Sequence, residues 1–192
     1  MKMRSQKLSL LLAFTTLLAS GSISATTFAR MSISTIARTA ELIVRGRCIS
    51  NAAAWDAGEI WTFTTFMIEE TWKGAPTGAA SQLNVRLLGG SLGNVASTVS
   101  GIPRFRPGEE AILFLEPNAR GGFSIVSWAQ GTFRIRREIR SGQEIVIQDT
   151  AAFDRFNPAS RQFESVSVRN QPIESFRAQV QSALTAPTSG KK

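Results

Sequence analysis

The sequence predicts a mainly β domain: a small barrel with a short helix before it and an amphipathic helix after it. Three observations carry this. Residues 41–74 alternate apolar and polar side chains along two long arms joined by a turn, the pattern of a hairpin. Further segments of period two follow, each bounded by Gly, Pro or Asn. Helical spacing is confined to the two ends of the domain, at 32–40 and 172–184.

The chain of 192 residues opens with an export signal. Lys2, Arg4 and Lys7 precede an apolar run, 8–19, and Gly21, Ser22, Ser24 and Ala25 supply a small-residue cleavage site. The run is short for a membrane span, and no cysteine follows it closely as a lipid anchor would require. Residues 1–25 are therefore expected to be removed, leaving a protein exported to the periplasm or the exterior of a bacterial cell with no stable membrane insertion. Cleavage takes three bases and no acids from a formal charge of +8, which leaves 19 basic against 14 acidic residues, a net +5. That balance suits an anionic partner; the compartment argues against nucleic acid.

Residues 26–40 form an N-terminal segment containing the short helix, with Ser32 as its cap and Ile33, Ile36, Ala37 and Ala40 on one face. Along 42–49, Leu42, Val44, Gly46 and Cys48 share one face of a strand, and Ile43, Arg45, Arg47 and Ile49 share the other. The second arm, 60–72, is rich in β-branched and aromatic residues. Phe66 and Ile68 lie on one side, Trp61, Phe63 and Met67 on the opposite one. Bulky groups on both faces of so long a strand imply that it bends and serves two layers. Glu69-Glu70 breaks the alternation and marks a bulge; Asp56-Ala57-Gly58 supplies the turn.

Residues 82–88 alternate with Leu83, Val85 and Leu87 inward, and Asn84 and Arg86 outward; Gly89-Gly90 ends the strand. Residues 91–107 read as a long loop with a short strand near 95–99, and loops of this length often carry function. In 109–116, Ala111 to Leu115 is apolar throughout, so this strand is central and covered on both faces. Strands at 123–128 and 132–137 flank a bend at 129–131, and Ser141-Gly142 turns into a strand at 144–148. The barrel domain spans 41–148. Residues 149–185 hold an irregular segment, where Phe153, Phe156 and Phe163 are expected to pin the chain, and the closing helix with its stripe of Ile173, Phe176, Val180 and Leu184. Residues 186–192 are expected to be a disordered tail.

The chemistry available is narrow. The chain has no His and no Tyr, which removes the usual general base, the usual zinc ligand and every Ser–His or Cys–His dyad. Glu69-Glu70 and Glu109-Glu110 are adjacent pairs, which a regular strand points to opposite faces. Gly89-Gly90-Ser91-Leu92-Gly93 lacks the Lys-Ser/Thr ending of a phosphate loop. No catalytic residue, metal site or cofactor is expected. Cys48, the lone cysteine, sits on the core face and reads as a small buried hydrophobe. The candidate site is a basic surface: Arg45, Arg47, Arg86, Arg134 and Arg136 at outward strand positions, with Arg104 and Arg106 bracketing Phe105 in the long loop as an aromatic anchor.

The succession Ala40-Glu41-Leu42-Ile43-Val44-Arg45-Gly46-Arg47, Met67-Ile68-Glu69-Glu70-Thr71-Trp72-Lys73-Gly74, Leu83-Asn84-Val85-Arg86 and Phe105 to Leu115 resembles a group of uncharacterised secreted bacterial proteins. More remotely it is similar to the netrin-module and tissue-inhibitor-of-metalloproteinases superfamily, over about 40–137. The resemblance implies an OB-like small β-barrel. The superfamily's inhibitors use an amino-terminal cysteine and disulfides; a single internal Cys48 supplies neither, so no inhibitory residue carries over. The function expected is a non-catalytic binding module for a protein or polyanionic partner in the bacterial envelope. The alternative is an inhibitor-like or accessory partner of a secreted peptidase.

Overall fold

The computed structural model describes residues 31–76, 81–149, 155–157, 162–164, 168 and 170–187. The export signal, Phe153 and the tail beyond 187 lie outside them, as does the packing expected of Phe156 and Phe163. The fold is mainly β, with two helices.

Helix α1 (Ile33–Thr39) starts where expected: Ser32 is extended and its hydroxyl accepts from the Thr35 amide at 3.0 Å. β1 (Leu42–Asp56) and β2 (Glu59–Lys73) form the long hairpin around Ala57-Gly58. Both turn residues have positive φ, 51° and 81°, the geometry whose twist matches the flanking strands. The expected bulge is present: Arg45 pairs with Glu70 and Gly46 with Ile68, so Glu69 is the extra residue. Two more irregularities, at Trp72 and Ile49, bend the ribbon further.

β3 (Gln82–Leu88) pairs with β2. A small separate hairpin follows, β4 (Gly90–Leu92) and β5 (Val95–Ser97). β3 ends at the glycine pair as expected, and the pair also redirects the chain: Gly89 and Gly90 both have positive φ, and β4 begins at Gly90. β6 (Glu110–Pro117) pairs with β1, with β7 (Phe123–Ile125) and with β8 (Thr132–Arg137). β7 stops short of the expected 128, because Ser127 and Trp128 adopt left-handed backbone (φ 51° and 53°) and lead into a single 3-10 turn, Trp128–Gly131. β8 pairs with β9 (Glu144–Gln148), and β9 with the two-residue β12 (Gln171–Pro172). β10 (Arg155–Asn157) and β11 (Gln162–Glu164) pair only with each other. The pairings β1–β2, β2–β3, parallel β3–β7, β7–β6 and β6–β1 return to the strand from which they start.

β6 is central, with Ala111 to Leu115 at 0% exposure. It divides the core by period two. Ala111, Leu113 and Leu115 join Val44, Cys48, Phe66, Leu83, Val85 and Ile125 on one side. Ile112 and Phe114 join Ile43, Phe133 and the helices on the other. Helix α2 (Ile173–Thr185) contributes Ile173, Phe176, Val180 and Ala183 to that second cluster. Pro172 is its cap and not its first turn, and Leu184 is only partly covered. The carbonyl end of each helix meets a basic side chain from outside that helix. Lys73 Nζ donates to the carbonyls of Ala37, Arg38 and Ala40 at the end of α1, and Arg38 Nε donates to Ala183 O in α2. Of the core residues expected, Phe66, Leu83, Val85, Leu113 and Phe133 are buried and Ile68 is partly so. Among the described residues no helix is long and apolar enough to cross a membrane.

Candidate functional site

The eight residues expected to share one basic surface fall into four settings. The first is a carboxylate clamp. The bulge at Glu69 lets its carboxylate meet both Arg45, at 3.2 Å, and Arg47, at 2.9 Å. Glu110 of β6 bridges the same two guanidiniums at 2.7 and 2.6 Å. Glu144 of β9 grips Arg45 through two bonds, 2.8 and 2.9 Å. The hydrogen bond from Arg45 holds the Glu144 carboxyl below the usual carboxylate range, and the same bond, stronger than the opposing burial, raises the Arg45 guanidinium above its ordinary value. These arginines are neutralised from within and tie four strands together.

The second setting is Arg134. It donates to Glu109 and Asp149, each at 2.7 Å, and to the carbonyl of Arg104 at 2.7 Å, while its guanidinium lies 5.0 Å from the centre of the Phe105 ring. Phe105 is not the exposed anchor expected of it. It is 6% exposed and meets Phe66 edge-on, centroids 4.9 Å apart, as part of the core. The loop folds Pro103 and Phe105 inward and leaves Arg104 and Arg106 outward, an alternation that the bracketing arginines allow.

The third is Arg86, which alternates with the core residues Leu83, Val85 and Leu87 as expected but is not part of an accessible surface. It is 9% exposed, sandwiched between the rings of Trp61 (5.2 Å) and Phe63 (4.9 Å), and ion-paired to Asp56 at the hairpin end. Those aromatic neighbours cover the stem. The bond from Arg86 lowers the Asp56 pKa, and Arg120 adds to it. Arg86 Nε and Trp61 Nε1 are buried without a hydrogen-bond partner among the described residues.

The fourth setting is open. Arg106 and Arg136 are exposed and, with Arg134, Glu109, Glu110 and Glu144, line a mixed-charge cleft of about 470 Å³. Arg104 lines a different cleft, of about 350 Å³, between the β4–β5 hairpin and strands β1 and β2. Its guanidinium donates to Leu88 O at 2.7 Å, Gly89 O at 3.1 Å and Thr62 Oγ1 at 3.2 Å, and no carboxylate among the described residues pairs with it. Burial pushes the Arg104 pKa down for want of such a partner. Asn51, Thr62, Thr64, Ser91, Ser97 and Thr98 supply the polar wall, and Leu87 and Phe105 the apolar one. Thr64 Oγ1 donates to Asn51 Oδ1 at 2.7 Å, and Asn51 Nδ2 donates to Phe105 O at 2.9 Å, which fixes the floor.

The structure thus gathers Arg45 with Arg47, and Arg106 with Arg134 and Arg136; it places Arg86 at the far end of the long hairpin and Phe105 in the interior. The hydroxyl groups of the Arg104 cleft were not singled out by sequence. Their signal is Thr62 and Thr64 at period two on one strand face, with Ser91, Ser97 and Thr98 beyond a glycine pair. Among the described residues no group of three or more His, Cys, Asp and Glu is placed to hold a metal ion. No protein-family model and no curated protein matches the chain.

Proposed function

We propose that this protein is a non-catalytic, exported binding module for an anionic partner in the bacterial envelope, built on an OB-like barrel. The run of pairings β1–β2–β3–β7–β6–β1, with β3 and β7 parallel, supports the barrel. OB-like barrels bind on the face of their second and third strands and the loops beside it, and Thr62, Thr64 and Leu87 bring those two strands to the Arg104 cleft. The observation that carries the reading is the state of Arg104. Arg45, Arg47, Arg86 and Arg134 are each answered by a carboxylate of this chain, whereas Arg104 faces a cleft with carbonyls and hydroxyls alone. A guanidinium held that way is ready for an external anion.

The test is retention of envelope material on the immobilised full chain. Anionic material should be held at low salt, released at high salt, and lost with Arg104→Ala. Equal retention by the variant, or none by the native protein, would overturn the reading. Recovery of a secreted peptidase that the protein inhibits would instead favour the accessory-partner alternative.

A further inference from the structure

The tip of the β8–β9 hairpin carries an apolar side chain that nothing covers. Ile139 is 100% exposed, whereas Trp55, Met67 and Val95, the other exposed large hydrophobics among the described residues, each keep partial cover. The turn is built to hold it there. The Glu138 amide donates to Gln143 O and the Gly142 amide to Glu138 O, both at 2.8 Å, and Gly142 takes the positive φ, 70°, that closes the loop. Ser141 Oγ donates to the Glu138 carboxylate and accepts from the Gln143 amide. Ile139 and Arg140 stand at the apex of this braced loop.

A lone exposed aliphatic residue is ordinary, but this one has a collar of bases. Residues 136–143 hold Arg136, Arg137 and Arg140 against one acid, Glu138, and all are exposed. No carboxylate among the described residues pairs with Arg136 or Arg140. Glu144 lies 3.9 Å from Arg137 but is gripped by Arg45. Arg106, exposed on the neighbouring turn, lines the same cleft as Arg136 and Arg137. The collar selects its partner by geometry. Arg136 pairs with Ile145 and Arg137 with Glu144, and successive strand residues point to opposite faces. A partner lying against either face of the ribbon meets one of these arginines and misses the other. A plane met end-on reaches both, with Ile139 and Arg140 between them.

We infer that the β8–β9 tip docks reversibly on an anionic lipid surface. Ile139 enters the interface, and Arg136, Arg137 and Arg140 bond lipid phosphates around it. One aliphatic side chain and a few bases give weak, salt-sensitive attachment. This goes beyond the reading above: Arg104 holds the ligand, and the tip sets where the module sits.

Co-sedimentation with vesicles tests it. The chain that cleavage leaves, residues 26–192, contains every described residue and is the form used, because the apolar run 8–19 binds bilayers by itself. Vesicles of phosphatidylglycerol and phosphatidylethanolamine should bind at least about tenfold better than phosphatidylcholine, and high salt should abolish the difference. Ile139→Ser should weaken binding about tenfold and Ile139→Leu should preserve it. Arg137→Gln/Arg140→Gln should cost about tenfold or more. These substitutions lie in an exposed turn, and the urea transition should stay native. A second arm places an environment-sensitive fluorophore on Ile139→Cys, which labels selectively because Cys48 is buried. Its emission should shift to the blue on the anionic vesicles and stay unchanged with soluble glycerol 3-phosphate. Equal binding to both vesicle types, full binding by Ile139→Ser, or a shift with the soluble phosphoester overturns the inference. A shift that grows with protein concentration and needs no lipid also overturns it, in favour of self-association. Envelope retention is read through Arg104→Ala and vesicle binding through Ile139→Ser, so either reading can fail alone.

Discussion

Arg45 on β1 holds the carboxylate of Glu144 on β9 through two hydrogen bonds, 2.8 and 2.9 Å, although those two strands share no backbone pairing. The contact closes the sheet across its surface, with Glu69 and Glu110 completing a ring of three acids around one base. Arg45→Met leaves those acids facing one another. It should lower unfolding free energy in urea by about 2–3 kcal/mol, more than Glu144→Gln, which removes one acid and leaves two.

Acid should act through the same clamp. Glu144 and Asp56 both have folded pKa values below their unfolded ones, each because an arginine hydrogen-bonds the charged form. Their contribution is therefore present above the unfolded carboxylate value, about pH 4, and is lost as pH falls through the lower folded values. The melting temperature should drop between roughly pH 5 and pH 2. The Glu144→Gln variant should show a shallower drop; an identical profile would mean that Glu144 is not linked to acid unfolding.

The hairpin turn is open to improvement. Ala57 sits at φ 51° beside Gly58 at φ 81°, and a Cβ-bearing residue other than Asn or Asp is strained there by about 1 kcal/mol. Ala57→Asn should raise the denaturation midpoint without changing the slope of the transition, and Ala57→Val should lower it.

Arg86→Ala should destabilise by about 3 kcal/mol, since it removes an ion pair and the cover between two rings. The loss should be nearly the same at low and high salt, because the guanidinium is buried. Trp61 should become more exposed in the variant, seen as red-shifted fluorescence; unchanged emission would contradict the sandwich.

Cys48 is 1% exposed, and burial raises its thiol pKa. Native protein at neutral pH should react with a bulky thiol reagent only as fast as it unfolds, so denaturant should accelerate labelling steeply.

Much of this architecture could be read from the residues. Period two placed Val44, Phe66 and Val85 inward, the unbroken apolar run placed Ala111 to Leu115 at the centre, and the adjacent acids at 69 and 70 marked the bulge. Burial of the opposite face could not be read, because alternation says which residues share a side and not what covers it. Arg86 is the clearest case: Trp61 and Phe63 of the neighbouring strand cover it, and only the strand register brings them there. Phe105 failed for the related reason that a loop residue reveals no face of its own. The cleft hydroxyls come from three stretches of chain, 62–64, 91 and 97–98, that are united by the β4–β5 hairpin and the packing of its flanks.

Because β6 is apolar on both sides, hydrophobicity alone does little to lock its alignment. A one-residue slip would exchange Ala111, Leu113 and Leu115 for Ile112 and Phe114 and still bury carbon against carbon, whereas a strand with one wet face would be thrown inside out. What resists the slip is volume and charge. Phe114 packs against Phe133 and Phe176, with centroids 5.2 and 6.3 Å away, and Glu110 must land beside Arg45 and Arg47. A Glu110→Leu chain should therefore reach its native alignment more slowly and populate mispaired, aggregation-prone species during refolding, even where its final stability is little changed.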